Sequence, residues 1–243
     1  MEVSWRIKPY VDMLLSGKPF TQANYGDGEW SCILGRTGHN SQGGVYTPQL
    51  QAALAYTLTA PQFTFFGTNP GTAFWNEAWA WCAQNWVVVP WVHKEMLSAA
   101  NVRGDLGPFI RALQQRTIIL VGPAHLRALD LFDVAEFVEV PLPGAAEQCA
   151  SLAMDVLGAV RTNGADRPCV LFSAGMATNV MMHDLAGEAG RWGRDVVVPD
   201  TTMLDCGAIW DPYVGVHSRW RYGLPEVQER IAAVHKEVTH EQA

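Results

Sequence analysis

The run Asn24-Tyr25-Gly26-Asp27-Gly28-Glu29-Trp30 joins a strand predicted over residues 20–25 to a helix predicted over residues 29–34. Glycine can adopt backbone angles that are closed to other residues, so Gly26 and Gly28 allow a sharp turn that brings N–H groups close to a ligand. The N–H groups and the dipole at the start of the following helix favour an anion. This stretch therefore predicts a strand–turn–helix unit whose turn can hold a phosphate.

The same turn carries two carboxylates, Asp27 and Glu29. At about 5 Å they would repel a diphosphate by several kcal/mol at the dielectric constant of a protein surface. A divalent cation removes this repulsion, because Mg²⁺ and Mn²⁺ commonly bind one or two carboxylates together with substrate phosphates and water. We therefore predict that Asp27 and Glu29 hold a metal–diphosphate group. The alternative is an ordinary acidic β-turn, since Asp-Gly is a common turn dipeptide.

Outward from this turn, short apolar segments alternate with segments of helical periodicity. Further strands are predicted over residues 63–66, 87–89, 117–121, 136–140, 169–172 and 196–198. Helices are predicted over residues 5–16, 48–58, 73–84, 92–100, 106–115, 126–132, 145–161 and 176–187. This alternation predicts an α/β fold: a single Rossmann-like three-layer domain over residues 1–243, with a mostly parallel sheet and helices on both faces.

Composition limits the class of protein. Hydrophobic residues make up 49% of the 243 residues and charged residues 17%, as expected for one packed globular domain. The net charge of −7 gives no general attraction to nucleic acid. The first residues lack the pattern of a signal peptide and no apolar run approaches about 18 residues, so we expect a soluble, cytoplasmic protein.

Cysteine and tryptophan usage also predicts structure. The five cysteines occur singly, which argues against a disulfide framework or a zinc site and predicts buried, reduced thiols. The ten tryptophans are expected mostly to fill the core, and aromatic platforms for a sugar or a base are the alternative.

The predicted fold also predicts where a ligand binds. In open α/β sheets ligands lie beyond the carboxyl ends of the strands, so we expect the turns at Asp27, Thr68, Gly122 and Ser173 to share one edge. No Gly-x-Gly-x-x-Gly follows a predicted strand, which argues against a dinucleotide-dependent oxidoreductase. The small residues at 173–178 suit a nucleotide, because they let the backbone approach a phosphate; close helix packing is the alternative.

The residues at 25–30 resemble the Phe/Tyr-Gly-Asp-Gly-Glu signature of the D-type glycosyltransferase fold family (GT-D). Val121-Gly122-Pro123 is similar to a strand end of that family, and residues 172–178 followed by Asp184-Leu185 resemble its small-residue turn and helix. The resemblance extends to residues 205–213, so it covers most of the chain.

In this C-terminal run the family has Asp-x-Gly-His with a tyrosine a few residues on. Asp205, Gly207 and Tyr213 match that pattern. Ala208 stands in place of the family histidine and Pro212 in place of an acidic residue, so the roles of those two side chains are absent here or supplied differently.

The resemblance implies transfer of a sugar from a nucleotide-sugar, expected to be a UDP-sugar, with Mn²⁺ or Mg²⁺ bound by Asp27 and Glu29. The residues that it and the turn chemistry place at the donor site are Gly26, Asp27, Gly28, Glu29, Gly122, Pro123, Ser173, Ala174, Gly175, Thr178 and Gly207.

Three side chains are candidates for the catalytic groups. Asp205 could be the general base for the acceptor hydroxyl, a group beside the metal, an acceptor for a sugar or ribose hydroxyl, or a turn or cap residue. Asp211 is the alternative base. His125 could contact phosphate or transfer a proton, or be a solvated or capping residue. Arg127 could neutralise the leaving diphosphate, or lie on a surface helix.

The sequence thus leads to the hypothesis of a metal-assisted glycosyltransferase whose acceptor is a glycan or glycoconjugate. Two alternatives stay open. One is a nucleotide or sugar-nucleotide binding protein that lacks catalytic activity, and the other is a glycosyltransferase that acts on a modified base of nucleic acid.

Overall fold

The computed structural model describes residues 7–40, 43–71, 74–163, 167–186 and 201–240. Its strands are β1 (Thr21–Tyr25), β2 (Phe65–Thr68), β3 (Trp91–His93), β4 (Ile118–Gly122), β5 (Val134–Glu139), β6 (Cys169–Phe172) and β7 (Thr202–Asp205). Within the described residues they form one sheet in the order β3-β2-β1-β7-β6-β4-β5, and all neighbouring strands are parallel.

Helices cover both faces of this sheet. They are α1 (Lys8–Ser16), α2 (Asp27–Ile33), α3 (Pro48–Thr59), α4 (Trp75–Gln84), α5 (Met96–Arg103), α6 (Gly107–Leu113), α7 (Cys149–Asn163), α8 (Ala177–Ala186) and α9 (Pro225–His240). One core cluster joins the sheet to α2, α3, α4, α7 and α8, and a second joins it to α1, α5, α6 and α9. The predicted Rossmann-like three-layer α/β fold is confirmed.

The strands alternate between these two clusters, as the period of a β-strand requires. In β4, Ile119 and Val121 belong to the first cluster, whereas Ile118 and Leu120 belong to the second. In β1, Ala23 and Tyr25 belong to the first cluster, but the opposite face carries the polar Gln22 and Asn24. Polar side chains on a central strand are costly to bury, so this face of β1 is a place to look for a site.

The chain leaves the neighbouring strands β1 and β7 toward opposite faces. After β1 it enters α2 on the first face, and after β7 it passes through two 3₁₀ turns, Asp211–Val214 and Trp220–Gly223, to α9 on the second face. Such a divergence opens a crevice beyond the carboxyl ends of the two strands, and ligands of open α/β sheets bind there.

The strand predicted over residues 87–89 is wrong. Val88 is 90% exposed, and the edge strand is β3, which pairs with β2 from Phe66 opposite Trp91 to Thr68 opposite His93. The N–H of Phe66 donates to the carbonyl oxygen of Pro90 at 3.0 Å, because a proline can still accept a hydrogen bond on a strand. The helix predicted from residue 92 consequently begins only at Met96.

One further prediction differs from the structure, one cannot be compared with it, and two elements were not predicted. The helix predicted over residues 126–132 is a short 3₁₀ helix, Ala124–Ala128, because Leu131 and Phe132 turn inward to join the second core cluster. The strand predicted over residues 196–198 lies outside the described residues. The strand β7 and the helix α9 were not predicted, although α9 buries an amphipathic stripe of Val227, Ile231, Val234 and Val238.

The prediction for cysteine is confirmed, and the prediction for tryptophan is confirmed only in part. All five cysteines are free and buried. Trp30 and Trp210 are fully buried, whereas Trp86 and Trp220 are 89% and 77% exposed. No helix in the described ranges is long and apolar enough to cross a lipid bilayer.

Candidate functional site

A cleft of about 350 Å³ opens where β1, β3 and β7 end. Its walls come from the turn after β1 (Gly26 to Glu29), the turn after β3 (Lys94 and Glu95), the turn after β7 (Asp205 to Ile209), and the segment that carries Arg219, Arg221 and Tyr222. Gln22 and Asn24, the polar side chains of β1, also line it. The cleft therefore occupies the crevice that the divergence of β1 and β7 creates.

Helix α2 begins at Asp27, two residues earlier than predicted, so both carboxylates lie in its first turn. The side chain of Glu29 turns back and its Oε2 accepts the N–H of Gly26 at 2.7 Å. Asp27 is exposed at the mouth of the cleft. Carboxylates in a first helical turn are stabilised by the N–H groups and the dipole, so local structure alone accounts for part of this arrangement.

Gly26 and Gly28 are needed for space rather than for unusual backbone angles. Gly26 has φ −89°, and neither glycine has a positive φ. A Cβ on Gly26 would lie 3.1 Å from both Glu29 Oε2 and Lys94 Nζ, and one on Gly28 would lie 3.3 Å from the Cβ of Asn40. Gly26 therefore lets two charged side chains approach the backbone of the turn, and Gly28 leaves room for Asn40.

Asp27 and Glu29 are the two carboxylates of this turn that would hold a hard cation. Within the described ranges no group of three or more His, Cys, Asp or Glu side chains is arranged to hold a metal ion. Two carboxylates are nevertheless a usual protein contribution to an Mg²⁺ or Mn²⁺ site that substrate phosphates and water complete. Burial raises the pKa of Glu29, and hydrogen bonds from the first turn with the charges of Lys94 and Arg219 offset this only in part. A bound cation would favour the ionised form of Glu29.

Asp205 connects the ends of β1 and β7. Its Oδ2 accepts the N–H of Asn24 at 3.1 Å, its Oδ1 accepts the N–H of Gly207 at 3.0 Å, and the Asn24 amide donates to the Asp205 carbonyl at 2.9 Å. Burial, followed by the nearby charge of Glu29, raises the pKa of Asp205 to about 7. Asp205 therefore holds the floor of the cleft together and also titrates near neutral pH.

A chain of ion pairs that we did not predict forms another wall. Lys94 Nζ donates a hydrogen bond to Glu95 Oε1 at 2.8 Å, and Arg221 Nη2 donates one to Glu95 Oε2 at 2.9 Å. Burial alone would raise the pKa of Glu95, but the charges and hydrogen bonds of Lys94 and Arg221 outweigh it and lower the pKa to about 2. The signal in the sequence was a charged Lys-Glu pair directly after an apolar segment, which the misplaced strand concealed.

The predicted donor-site residues divide into two groups. Those that line the cleft are Gly26, Asp27, Gly28, Glu29, Gly175 and Gly207. Gly122, Pro123, Ser173, Ala174 and Thr178 lie at the same edge of the sheet but are not among the residues that line it. Thr178 Oγ1 accepts the N–H of Ala174 at 3.2 Å, and a Cβ on Gly122 would lie 2.8 Å from Leu126 Cδ1. Gly122 is thus closely packed and Thr178 is hydrogen-bonded within its own turn, and a donor-binding role for the five residues stays a prediction.

His125 and Asp211, two of the catalytic candidates, contact each other and are not among the residues that line the cleft. His125 Nε2 lies 3.0 Å from Asp211 Oδ1, and the Ser218 hydroxyl donates to Asp211 Oδ2. Arg127 is exposed, pairs with Glu139 at 3.1 Å and lies over the Phe137 ring, as its surface interpretation predicts. Asp205 is the candidate base that does line the cleft.

No protein-family model, curated protein or solved structure matches this chain.

Proposed function

We propose that this protein is a metal-assisted glycosyltransferase that moves a sugar from a nucleotide-sugar, a UDP-sugar in the simplest case, to a hydroxyl acceptor. The observation that carries the proposal is the meeting of Asp27 and Glu29 with Asp205 at the cleft beyond β1 and β7. The resemblance of residues 25–30 and 205–213 to GT-D enzymes supports the same assignment. The proposal includes a cytoplasmic location, which cell fractionation would test.

Each acidic side chain has a task in this reaction. Asp27 and Glu29 would hold a divalent ion, which when bound neutralises the diphosphate that leaves as the anomeric bond breaks. Asp205 Oδ1 or Oδ2 would accept the proton of the acceptor hydroxyl. Burial raises the pKa of Asp205 toward neutral pH, and a general base works best when its pKa lies near the working pH.

The proposal is tested by adding a panel of nucleotide-sugars with and without Mn²⁺ and measuring the melting temperature and the release of nucleoside diphosphate. We expect one donor to raise the melting temperature more with Mn²⁺ than without it, since a ligand of the folded state stabilises it. Asp27→Asn should remove the Mn²⁺ effect, whereas Asp12→Asn, at an exposed carboxylate paired with Lys8, should not. Unchanged transfer by Asp27→Asn and Glu29→Gln would overturn the proposal.

One observation favours a second candidate, a nucleotide-sugar binding protein without catalysis. Ala208 lines the cleft at the position where the GT-D family has a histidine. A methyl group can neither transfer a proton nor bind an anion, so chemistry that needs that histidine is absent. Calorimetry that shows tight donor binding, with no turnover over a broad acceptor panel that includes DNA with modified bases, would favour this candidate.

A further inference from the structure

We propose that Lys94 and Arg221, held by Glu95, form a binding site for a diphosphate that works without a metal ion. The proposal deepens the proposed function, on which it rests for the identity of the donor. It assigns the contacts of the diphosphate to residues outside the stretches that resemble GT-D.

The first support is the geometry of the ion pairs. Each carboxylate oxygen of Glu95 binds one cation, so the group Lys94–Glu95–Arg221 carries a net charge of +1 and faces the acidic turn of Asp27 and Glu29 in the same cleft. Lysine carries three N–H donors and arginine five, and the bonds to Glu95 use one from each. Donors of both side chains therefore remain for a second anion.

The second support is burial. The side chains of Lys94, Glu95 and Arg221 are 19%, 21% and 37% exposed. The surface pair Arg103–Asp105 is 51% and 58% exposed, and such pairs contribute little to stability. Lys94, the more buried of the two cations, carries a desolvation cost that one shared carboxylate compensates only in part. An anionic ligand would complete that compensation.

The third support is that both cations stand on well-anchored backbone. Glu95 directly precedes α5, and Lys94 adjoins β3. Arg221 is followed by Tyr222, which is 1% exposed and donates its hydroxyl to Ser98 of α5 at 3.3 Å. A site that is positioned before its ligand arrives loses less entropy on binding.

The position of Lys94 connects this site to the turn after β1. A Cβ on Gly26 would lie 3.1 Å from Lys94 Nζ, so the ammonium group lies against the Gly26-Asp27-Gly28-Glu29 turn. Arg219 is exposed at the same cleft and adds a third positive charge. The ligand class follows from the chemistry: arginine suits the paired oxygens of a phosphate and lysine binds a phosphate as a point charge, so two linked phosphates fit both.

The test titrates inorganic pyrophosphate into the protein in the presence of a chelator, with calorimetric detection. We expect the wild-type protein to bind pyrophosphate, and Lys94→Gln and Arg221→Gln each to weaken binding by about tenfold or more, as the loss of a charge-assisted hydrogen bond implies. The matched controls Lys8→Gln and Arg103→Gln, at exposed ion pairs, should bind as the wild type does. The proposal would be overturned if the wild-type protein did not bind pyrophosphate without metal. It would also be overturned if folded Lys94→Gln and Arg221→Gln bound pyrophosphate as tightly as the wild type does.

A second measurement needs no variant. Pyrophosphate should protect Lys94 of the wild-type protein from an amine-acylating reagent, as read by mass spectrometry, while the exposed Lys18 and Lys236 react as before. Equal acylation of Lys94 with and without pyrophosphate counts against the site even if the variants do not fold. Pyrophosphate binding without any sugar transfer would contradict only the proposed glycosyltransferase activity. Sugar transfer by the wild type, with unaltered pyrophosphate binding in Lys94→Gln and Arg221→Gln, would contradict only the proposed diphosphate site.

Discussion

Two glycine turns at the same edge of the sheet show what distinguishes a site from packing. After β1, a Cβ on Gly26 would meet the charged atoms Glu29 Oε2 and Lys94 Nζ. After β4, a Cβ on Gly122 would meet Leu126 Cδ1 at 2.8 Å and Ser173 Cβ at 3.3 Å. Both turns were predicted to bind the donor. The contacts made by their glycines differ because the chain diverges between β1 and β7, whereas the 3₁₀ helix after β4 folds back over its own turn.

The largest difference in sugar transfer is expected between variants of the acidic residues beside the two turns, Glu29 and Glu139. Glu29→Gln should lower sugar transfer about 100-fold, a usual cost of removing a group that stabilises transition-state charge, because the amide can still accept the Gly26 N–H but carries no charge. Glu139→Gln, near the β4 turn and paired with Arg127, should leave transfer unchanged. Steady-state rates of the two variants decide this, and similar losses in both would remove the distinction between the turns.

The next test replaces each of the two glycines by alanine. Gly122→Ala should reduce the free energy of unfolding by about 1–3 kcal/mol through overpacking against Leu126, and leave the affinity for donor unchanged. Gly26→Ala should weaken donor binding about tenfold by displacing Glu29 and Lys94, with little loss of stability, because its φ of −89° suits alanine. Urea unfolding and calorimetry measure the two effects. The opposite assignment of the two losses contradicts our comparison.

The pH dependence of stability sharpens the comparison on the β1–β7 side. Because burial raises the pKa of Asp205 to about 7 in the folded protein, the folded state binds a proton that the unfolded chain releases near pH 4. Between about pH 4 and pH 7 this group should therefore lower the free energy of unfolding as pH rises, by at most about 1.4 kcal/mol per pH unit.

That slope should appear as the difference between wild-type protein and Asp205→Asn in urea unfolding across this pH range. Other titrating groups are common to both proteins and cancel. A difference that rises with pH, or that does not depend on it, would show that Asp205 is ionised throughout.

The smallest effect is expected at the contact between the partly exposed His125, which follows β4, and the buried Asp211. His125→Ala removes the contact with Asp211 but should change stability by less than about 1 kcal/mol, since His125 is partly exposed, and should lower transfer less than threefold. Thermal unfolding and transfer rates are the readouts. A loss of transfer as large as that of Glu29→Gln would make His125 a catalytic residue and give the β4 turn a function.

Much of the fold could be predicted because the signals are local. The continuous apolar run of β4, the proline and threonine at the start of α3 and the turn Asn24 to Trp30 depend on residues within a few positions of each other. The strand at residues 91–93 could not be found in this way, because its pairing with β2 decides where it lies. β7 was missed for a related reason: four buried residues fit a strand or a helix equally well until β1 and β6 flank them.

By itself, the sequence determined that strands alternate with helices and that two acids follow the first strand, since those features come from the order of the side chains. Only the tertiary structure decided which polar residues meet. Glu95 and Arg221 are 126 residues apart, and Asn24 and Asp205 are 181 apart. Their contacts arise because parallel strands deliver all their carboxyl ends to one edge, and the divergence of β1 from β7 determines which of those ends surround a cleft.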